Sequence, residues 1–576
     1  MLTKNNSVIR NIWLLIRPYR KEIIISFGCT FFAVICGSIS PILNRNLIDN
    51  GLIAFDYKRL ICYSIGIFLL VLVSQALNYV QFQEYTQINN KVKYKLNYTA
   101  MKHTMKLKIL HANESNYLQI LKQIEFDINA ITKITDNYII ECIGSILKII
   151  SALIGLSIIN WKLALVILIF IPIKTKASSH FYKMRSKYVE VWMKDEDEYN
   201  FWLGDSFGGI FEIKLWSLCR RKLIEFKVYQ KKIIKSHYNF NNALHLNRFV
   251  DISLESLISD VLIILLGANM ILNGTLTIGG LFSFITYSRL IIVPISYLLN
   301  IRVELADIKP SLDRYLDYIT SEVEGTVKNT KIEKNVSLNS IETIEFQNVS
   351  LEINDKKILD NISFKLNQGE KIALVGTNGS GKSSIINTLL RFYEPTQGRI
   401  LINGNDVFSI PLDLYRERYS VMSQKSYLFN DTIHNNIVMY KSYDRLEISD
   451  ICEKIGAESI IRKMVDDPNF KVGNDGSKLS GGEKQKISLT RTLVKNGAVL
   501  ILDEATSNFD YESEKLMNTL IRETPNYDMS IVISHRPEVL KEMDKIVLIE
   551  NGKVIDIGNY EYLQKSTEQF QNFIKA

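Results

Sequence analysis

The chain has 576 residues, 47% of them hydrophobic, and a formal net charge of +8, so it is too long for one ordinary core and must hold two or more domains. Its basic surplus lies between apolar runs, not on one face interleaved with aromatics, which excludes a nucleic-acid-binding surface and matches the positive-inside bias of a membrane protein. Cys29, Cys36, Cys62, Cys142, Cys219 and Cys452 show no CxxC or Cys/His spacing, which implies neither a disulfide framework nor a zinc site.

In chain order, residues 1–22 include "NIWLLIRPYRKE", an amphipathic basic stretch that reads as an interfacial helix and not as a cleavable signal. Six apolar segments follow, at 23–43, 61–80, 139–159, 163–173, 254–272 and 278–299. Most approach the ~20 residues that a ~30 Å hydrocarbon core requires, and the short fourth is expected to run on into "KTKASSHF". Residues 23–302 thus predict an all-α, six-helix membrane domain. The third and fourth segments are joined by "NWK" and the fifth and sixth by "NGTL", so each pair is expected to be a tight hairpin. The second-to-third and fourth-to-fifth connections are long, helix-patterned and rich in Lys and Arg, which predicts cytosolic loops and cytosolic termini. Residues 303–341 begin helically and turn rich in Lys, Asn, Ser and Thr, as a linker does. From 342 to 576, short β-branched runs alternate with helical ones, the pattern of an α/β domain.

Gly376-Thr377-Asn378-Gly379-Ser380-Gly381-Lys382-Ser383 matches G-x-x-x-x-G-K-[ST], follows the strand "KIALV" and opens the helix that begins with Ser383 and Ser384. Glycines let backbone N–H groups curl around phosphates, the helix N-terminus favours negative charge, Lys382 can meet the β/γ-phosphates and Ser383 can ligate Mg²⁺. Downstream, "AVLILDEATSNFD" is an apolar strand ending in Asp503 and Glu504. Asp503 is placed to hold Mg²⁺, and Glu504 to polarise an attacking water.

With "LSGGEKQ" at 479–485, the sequence resembles the ATP-binding cassette family, specifically exporter half-transporters. The resemblance covers nearly the whole chain. It implies a multidomain membrane protein: an all-α six-helix transmembrane domain followed by a cytosolic α/β P-loop NTPase domain with an antiparallel and a helical subdomain. It implies ATP and Mg²⁺ as ligands. Gln424 resembles the Q-loop glutamine that touches the metal, and His535 the switch histidine. Ser507 to Asp510 resemble the D-loop that couples the two sites. Ser480, Gly481, Gly482 and Glu483 would contact ATP held by a partner's P-loop, which makes a dimer the working unit. Both half-sites look intact, which favours a homodimer over a heterodimer. The chain departs from the family pattern at Ile353, where an adenine-stacking aromatic is usual, at Asn474, where a glutamate is common, and in the D-loop, which reads Ser-Asn-Phe-Asp. Short helices that transmit closure are expected near 117–122 and 215–220.

Lys148, Asp260 and Arg289 each lie 12 or 13 residues from an outer turn, about 18–20 Å below the outer surface. Charges at that depth are costly unless paired or wetted, so Asp260 is expected to pair with Lys148 or Arg289 along a substrate pathway. The equally weighted alternative is a helix–helix staple or snorkelling. The resemblance implies outward transport across a plasma membrane, with a bacterial source expected, of a peptide or amphipathic compound. A lipid flippase or multidrug efflux pump is the alternative within transport. A soluble-type cassette ATPase acting on nucleic acid or ribosomes conflicts with six spans.

Overall fold

The computed structural model describes residues 7–108, 117–135, 138–325, 340–424, 426–503, 519 and 527–575. The chain divides into two compact units, Met1–Met105 with Asn116–Ser321, and Lys106–Ser115 with Glu322–Ala576.

The first unit is helical. Its elements are α1 (Val8–Ile16), α2 (Arg20–Asn46), α3 (Tyr57–Thr104), α4 (Tyr117–Thr135), α5 (Tyr138–Gly208), α6 (Ile210–Leu215), α7 (Cys219–Ser256), α8 (Ile263–Leu272) and α9 (Ile278–Thr320), with π turns at Leu47–Ile53 and Leu257–Leu262. Among the described residues four helical stretches are long and apolar enough to cross a membrane: Val8–Ile53, Tyr57–Thr104, Glu141–Ala177 and Ile278–Ile295. Glu141–Ala177 contains two of the expected segments, because α5 leaves helical geometry at Asn160 (φ −162°, ψ 107°). Asn160 Oδ1 accepts the N–H groups of Lys162 (3.0 Å) and Leu163 (3.3 Å) and so caps the helix that resumes. Leu156 before the break and Leu163 and Ile167 after it share one buried cluster, as a hairpin requires.

Three turns gather at one end of this unit. Asp49 accepts Thr277 Oγ1 (2.6 Å) and Gly279 N (2.8 Å) at the start of α9, and Asn160 Nδ2 donates to Met270 Sδ (3.8 Å). At the other end the apolar stripe of α1, Ile12, Leu15 and Ile16, is buried against Val92 and Leu96 of α3, Ile128 of α4 and Leu312 and Tyr315 of α9. That burial carries α9 unbroken to Thr320, so the helical start expected of residues 303–341 runs through residue 320. The periodic apolar residues Ile308, Leu312, Tyr315 and Leu316 hold it there. Beyond it, Val323 bridges Leu107, Glu324 N donates to Lys106 O (2.7 Å) and Arg416 Nη1 meets Glu324 (2.7 Å), all within the second unit.

That second unit carries two sheets. The antiparallel one runs β2-β1-β4-β5, from β1 (Thr343–Ile353), β2 (Lys356–Asn367), β4 (Gln397–Ile402) and β5 (Asn405–Asp406). Asn354 and Asp355, both with positive φ, make the two-residue turn between β1 and β2. The other sheet runs β10-β9-β3-β8-β7-β6, from β3 (Lys371–Val375), β6 (Tyr419–Met422), β7 (Val499–Asp503), β8 (Met529–Ile533), β9 (Lys545–Glu550) and β10 (Lys553–Gly558). Its strands are parallel except for β10. Both faces are buried: Ile372, Leu374 and Ile501 face one cluster with the antiparallel sheet, while Ala373, Val375, Leu500 and Leu502 face a second with the helices. Strands covered on both sides need continuous apolar runs, hence "KIALV" and "VLIL".

Asp127, on α4 and 2% exposed, accepts Arg314 of α9 through Nε (3.1 and 3.2 Å) and Nη2 (2.5 Å). Removing one partner strands a buried carboxylate. Arg314→Met should therefore destabilise the chain by about 3 kcal/mol, with Asp127→Leu/Arg314→Met clearly less affected. Thermal unfolding in detergent checks this; equal loss in the two variants would contradict it.

Candidate nucleotide site

The carboxyl ends of β3, β8, β7 and β6 carry Gly376–Ser384, His535, Asp503 and Gln424 in turn. Parallel α/β sheets bind ligands at this edge, because strand ends and helix N-termini converge there. Between β3 and α10 (Lys382–Leu389), Gly376 (φ 155°), Gly379 (φ 82°) and Gly381 (φ 107°) bend the chain back. A Cβ on Gly376 would lie 2.0 Å from Ile549 O, so no other residue fits. Ser380 is buried and its N–H donates to Thr377 O (3.1 Å), while Thr377, Asn378 and Gly379 are exposed.

Lys382 Nζ donates to Gly376 O (2.8 Å) and Thr377 O (2.8 Å), which centres its charge on the loop. Ser383 Oγ donates to Asp503 Oδ2 (3.4 Å), so two hard oxygen donors from different strand ends meet beside that charge. This donor set fits Mg²⁺. Gln424 and His535 are exposed at the same sheet edge. Glu504, Ser507 and Asp510 lie outside the described residues. Ile353, half-buried, ends β1 beside the two-residue turn.

The signature opens α15 (Gly481–Lys495), which follows α11 (Leu412–Glu417), α12 (Ile433–Val438), α13 (Arg445–Lys454) and α14 (Glu458–Asp466). Ser480 is its N-cap: Ser480 Oγ accepts Glu483 N (3.3 Å) and Glu483 Oε2 accepts Ser480 N (2.9 Å), a capping box. Glu483, expected at the nucleotide, thus has its carboxylate engaged in the cap and in a 2.5 Å contact with Lys463. Lys463 first, and the Ser480 bonds after the opposing effect of burial, hold that carboxyl below the usual carboxylate range. The stabilisation it gives is complete above the unfolded-state value and fades as pH falls through the lowered one. Ser480 and Gly481 are exposed, and the first N–H groups of α15 have no intrahelical acceptor.

A family model for the ABC transporter matches residues 359–507, and one for the ABC transporter transmembrane region matches residues 23–295. The chain belongs to the ABC transporter family. A Bacillus subtilis (strain 168) protein, provisionally named a multidrug export ATP-binding/permease protein, is 27% identical over 578 residues, covering 97% of each chain. The ATP-dependent lipid A-core flippase of Francisella novicida is 25% identical, covering 95% of this chain and 92% of its own. In fold, the chain is similar to a bacterial Atm1-family ABC exporter with ATP bound, with a TM-score of 0.83 at 21% identity over 96% of this chain and 97% of that one. This ABC exporter binds ATP and couples its hydrolysis to transport, and the half-transporter architecture implies dimerisation.

Of the three membrane-depth charges, Asp260 Oδ1 pairs with Arg289 Nη2 at 3.1 Å. Lys148 instead lines a separate cavity. A short helix, α6, lies at Ile210–Leu215, ahead of the expected 215–220, and residues 117–122 open the longer α4 without forming a short helix of their own. Sequence reasoning missed two polar groups, one buried and one half-buried. Lys174, 2% exposed, lies 3.6 Å from Asp251 and donates to Ile292 O (3.3 Å). Arg491 of α15 donates to Asn436 O (2.6 Å), Asn436 Oδ1 (3.2 Å) and Tyr427 O (2.9 Å), fastening the segment after Gln424 to the signature helix.

Gly376→Ala should weaken ATP binding by at least about tenfold, since the added carbon displaces the loop from β9. Equilibrium binding of a fluorescent ATP analogue to the full chain measures it, and wild-type affinity would contradict the clash.

Proposed function

We propose that the exporter works as a homodimer and moves a peptide or another amphipathic compound outward. The observation that carries the dimer reading is the separate completion of the two half-sites. Lys382 bonds within its own loop and Ser480 within its own helix turn, which leaves the exposed N–H groups of α15 to receive phosphate oxygens held by a partner's P-loop. When bound, Mg²⁺ would supply positive charge that offsets the negative charge of the phosphates. Ser383 and Asp503 would hold the metal together with Gln424. Lys382 would bind the phosphates, Glu504 would accept the proton of the attacking water, and His535 would hold the γ-phosphate. Ile353 offers adenine an apolar contact without ring stacking.

Movement would pass through α6 and its C-cap, where Phe211, Leu215 and Trp216 are 69%, 66% and 71% exposed. In the membrane domain the Asp260–Arg289 pair would mark the substrate path, with both termini on the cytosolic side. Lipid or multidrug substrates form the second reading, supported by the flippase and the multidrug export protein among the relatives.

Glu504→Gln should retain ATP binding and lose hydrolysis. Phosphate release by the purified chain in nanodiscs decides: turnover surviving in this variant would sink the assignment. Peptide fractions should raise the wild-type rate, whereas stimulation by lipid alone would favour the flippase. Asp260→Asn should lower vectorial transport, and unchanged transport would leave the pair a helix–helix staple.

A further inference from the structure

A cavity of about 150 Å³ lies among α2, α3 and α5, entirely within the helical unit. Its wall is mixed: Ala33 and Val34 of α2 and Leu290 of α9 are apolar, while Thr30 and Ser38 from α2, Asn78 and Gln81 from α3, and Glu141 and Lys148 from α5 bring polar groups to it. Neither the Glu141 carboxylate nor the Lys148 ammonium has a hydrogen-bond or ion-pair partner among the described residues. Two opposite charges share a cavity but do not pair. At membrane depth such groups are costly unless a ligand or water meets them.

Their order along the helix selects the ligand. Glu141 and Lys148 are seven residues apart, which puts them on one face of α5 about 10 Å apart along its axis. Lys148 is nearer the Asn160 turn, and Glu141 is nearer the end at which α4 and α1 pack. On the reading that places this second end at the cytosol, the sequence from mid-membrane toward the cytosol is positive, then negative. A zwitterionic phospholipid of the inner leaflet presents the opposite order: acyl chains, phosphate, then ammonium. Long side chains at both positions can close the remaining distance to one headgroup.

We propose that this cavity binds the headgroup of an inner-leaflet zwitterionic phospholipid, with Lys148 on the phosphate and Glu141 on the ammonium. Ser38 and Thr30 present hydroxyl oxygens whose protons go to Val34 O (2.7 Å) and Ser26 O (2.8 Å), and Asn78 and Gln81 supply amides from the facing helix. The site is complete in one chain. It rests on the cytosolic assignment of the α4 end, but not on the identity of the exported compound.

The test is native mass spectrometry of the full chain in detergent, titrated with dioleoyl phosphatidylethanolamine or dioleoyl phosphatidylglycerol. The wild type should retain the ethanolamine lipid about tenfold more tightly, because phosphatidylglycerol offers Glu141 no cation. Glu141→Gln should erase the preference, Lys148→Met should weaken both lipids, and Glu141→Lys with Lys148→Glu, which keeps the net charge, should also lose it. Equal retention of the two lipids by the wild type, or a preference that survives Glu141→Gln, overturns the proposal. Soluble phosphoethanolamine should compete with the lipid; if it binds while phosphatidylethanolamine does not, the ligand comes from solution and the lipid assignment falls. Should a variant misfold by gel filtration, the wild-type comparison alone decides. ATP hydrolysis by the same wild-type sample separates the readings, since turnover without lipid preference overturns this site and leaves the exporter intact.

Discussion

The approach of the Gly376 backbone to the Ile549 carbonyl is the contact on which the nucleotide half depends. It lets the loop after β3 close against β9, and from that closure follow the positions of Lys382 on the loop carbonyls and Ser383 beside Asp503. The sheet beneath contributes little chemistry of its own. Its apolar strands, buried on both faces, fix the heights at which four strand ends release their polar residues.

The membrane half obeys a different constraint, because backbone groups in hydrocarbon must find partners inside the protein. Where the helices deviate, side chains take up the carbonyls. Pro41 lies inside the continuous α2 and withholds the N–H that Gly37 O would accept, and in the adjoining turns Ser283 and Tyr287 of α9 donate to the Pro41 and Ser38 carbonyls. Gly155 makes room for that tyrosine, since a Cβ there would stand 2.5 Å from its ring.

Legibility followed the range of the interactions. The P-loop could be read because glycine spacing dictates backbone shape locally, and the turn at Asn160 because a short polar interruption between two apolar runs leaves few options. The helical start after residue 302 was legible, but how far α9 runs was not, because the partners α1 and α4 that hold it to Thr320 are distant in sequence. Depth along a helix was readable for Asp260, but azimuth was not, and azimuth selects Arg289 over Lys148. Lys174 looked like the polar end of a span, and only the packing of α7 and α9 around it buries the charge. The Ser-x-x-Glu spacing of Ser480 and Glu483 is a capping-box pattern, and the structure uses it as one.

Asn436 is 1% exposed and shares its carbonyl and side-chain oxygens with Arg491, while its amide donates to Phe429 O (2.9 Å) and Thr432 O (3.0 Å). Each of these polar atoms is committed, so the strand end that bears Gln424 and the helix that bears Ser480 cannot shift independently without breaking buried hydrogen bonds. In the proposed dimer these two elements would serve different ATP molecules. The Asn436–Arg491 knot would then be a mechanical tie between neighbouring engines: occupancy sensed at one would be felt at the other, and the two strokes would be phased.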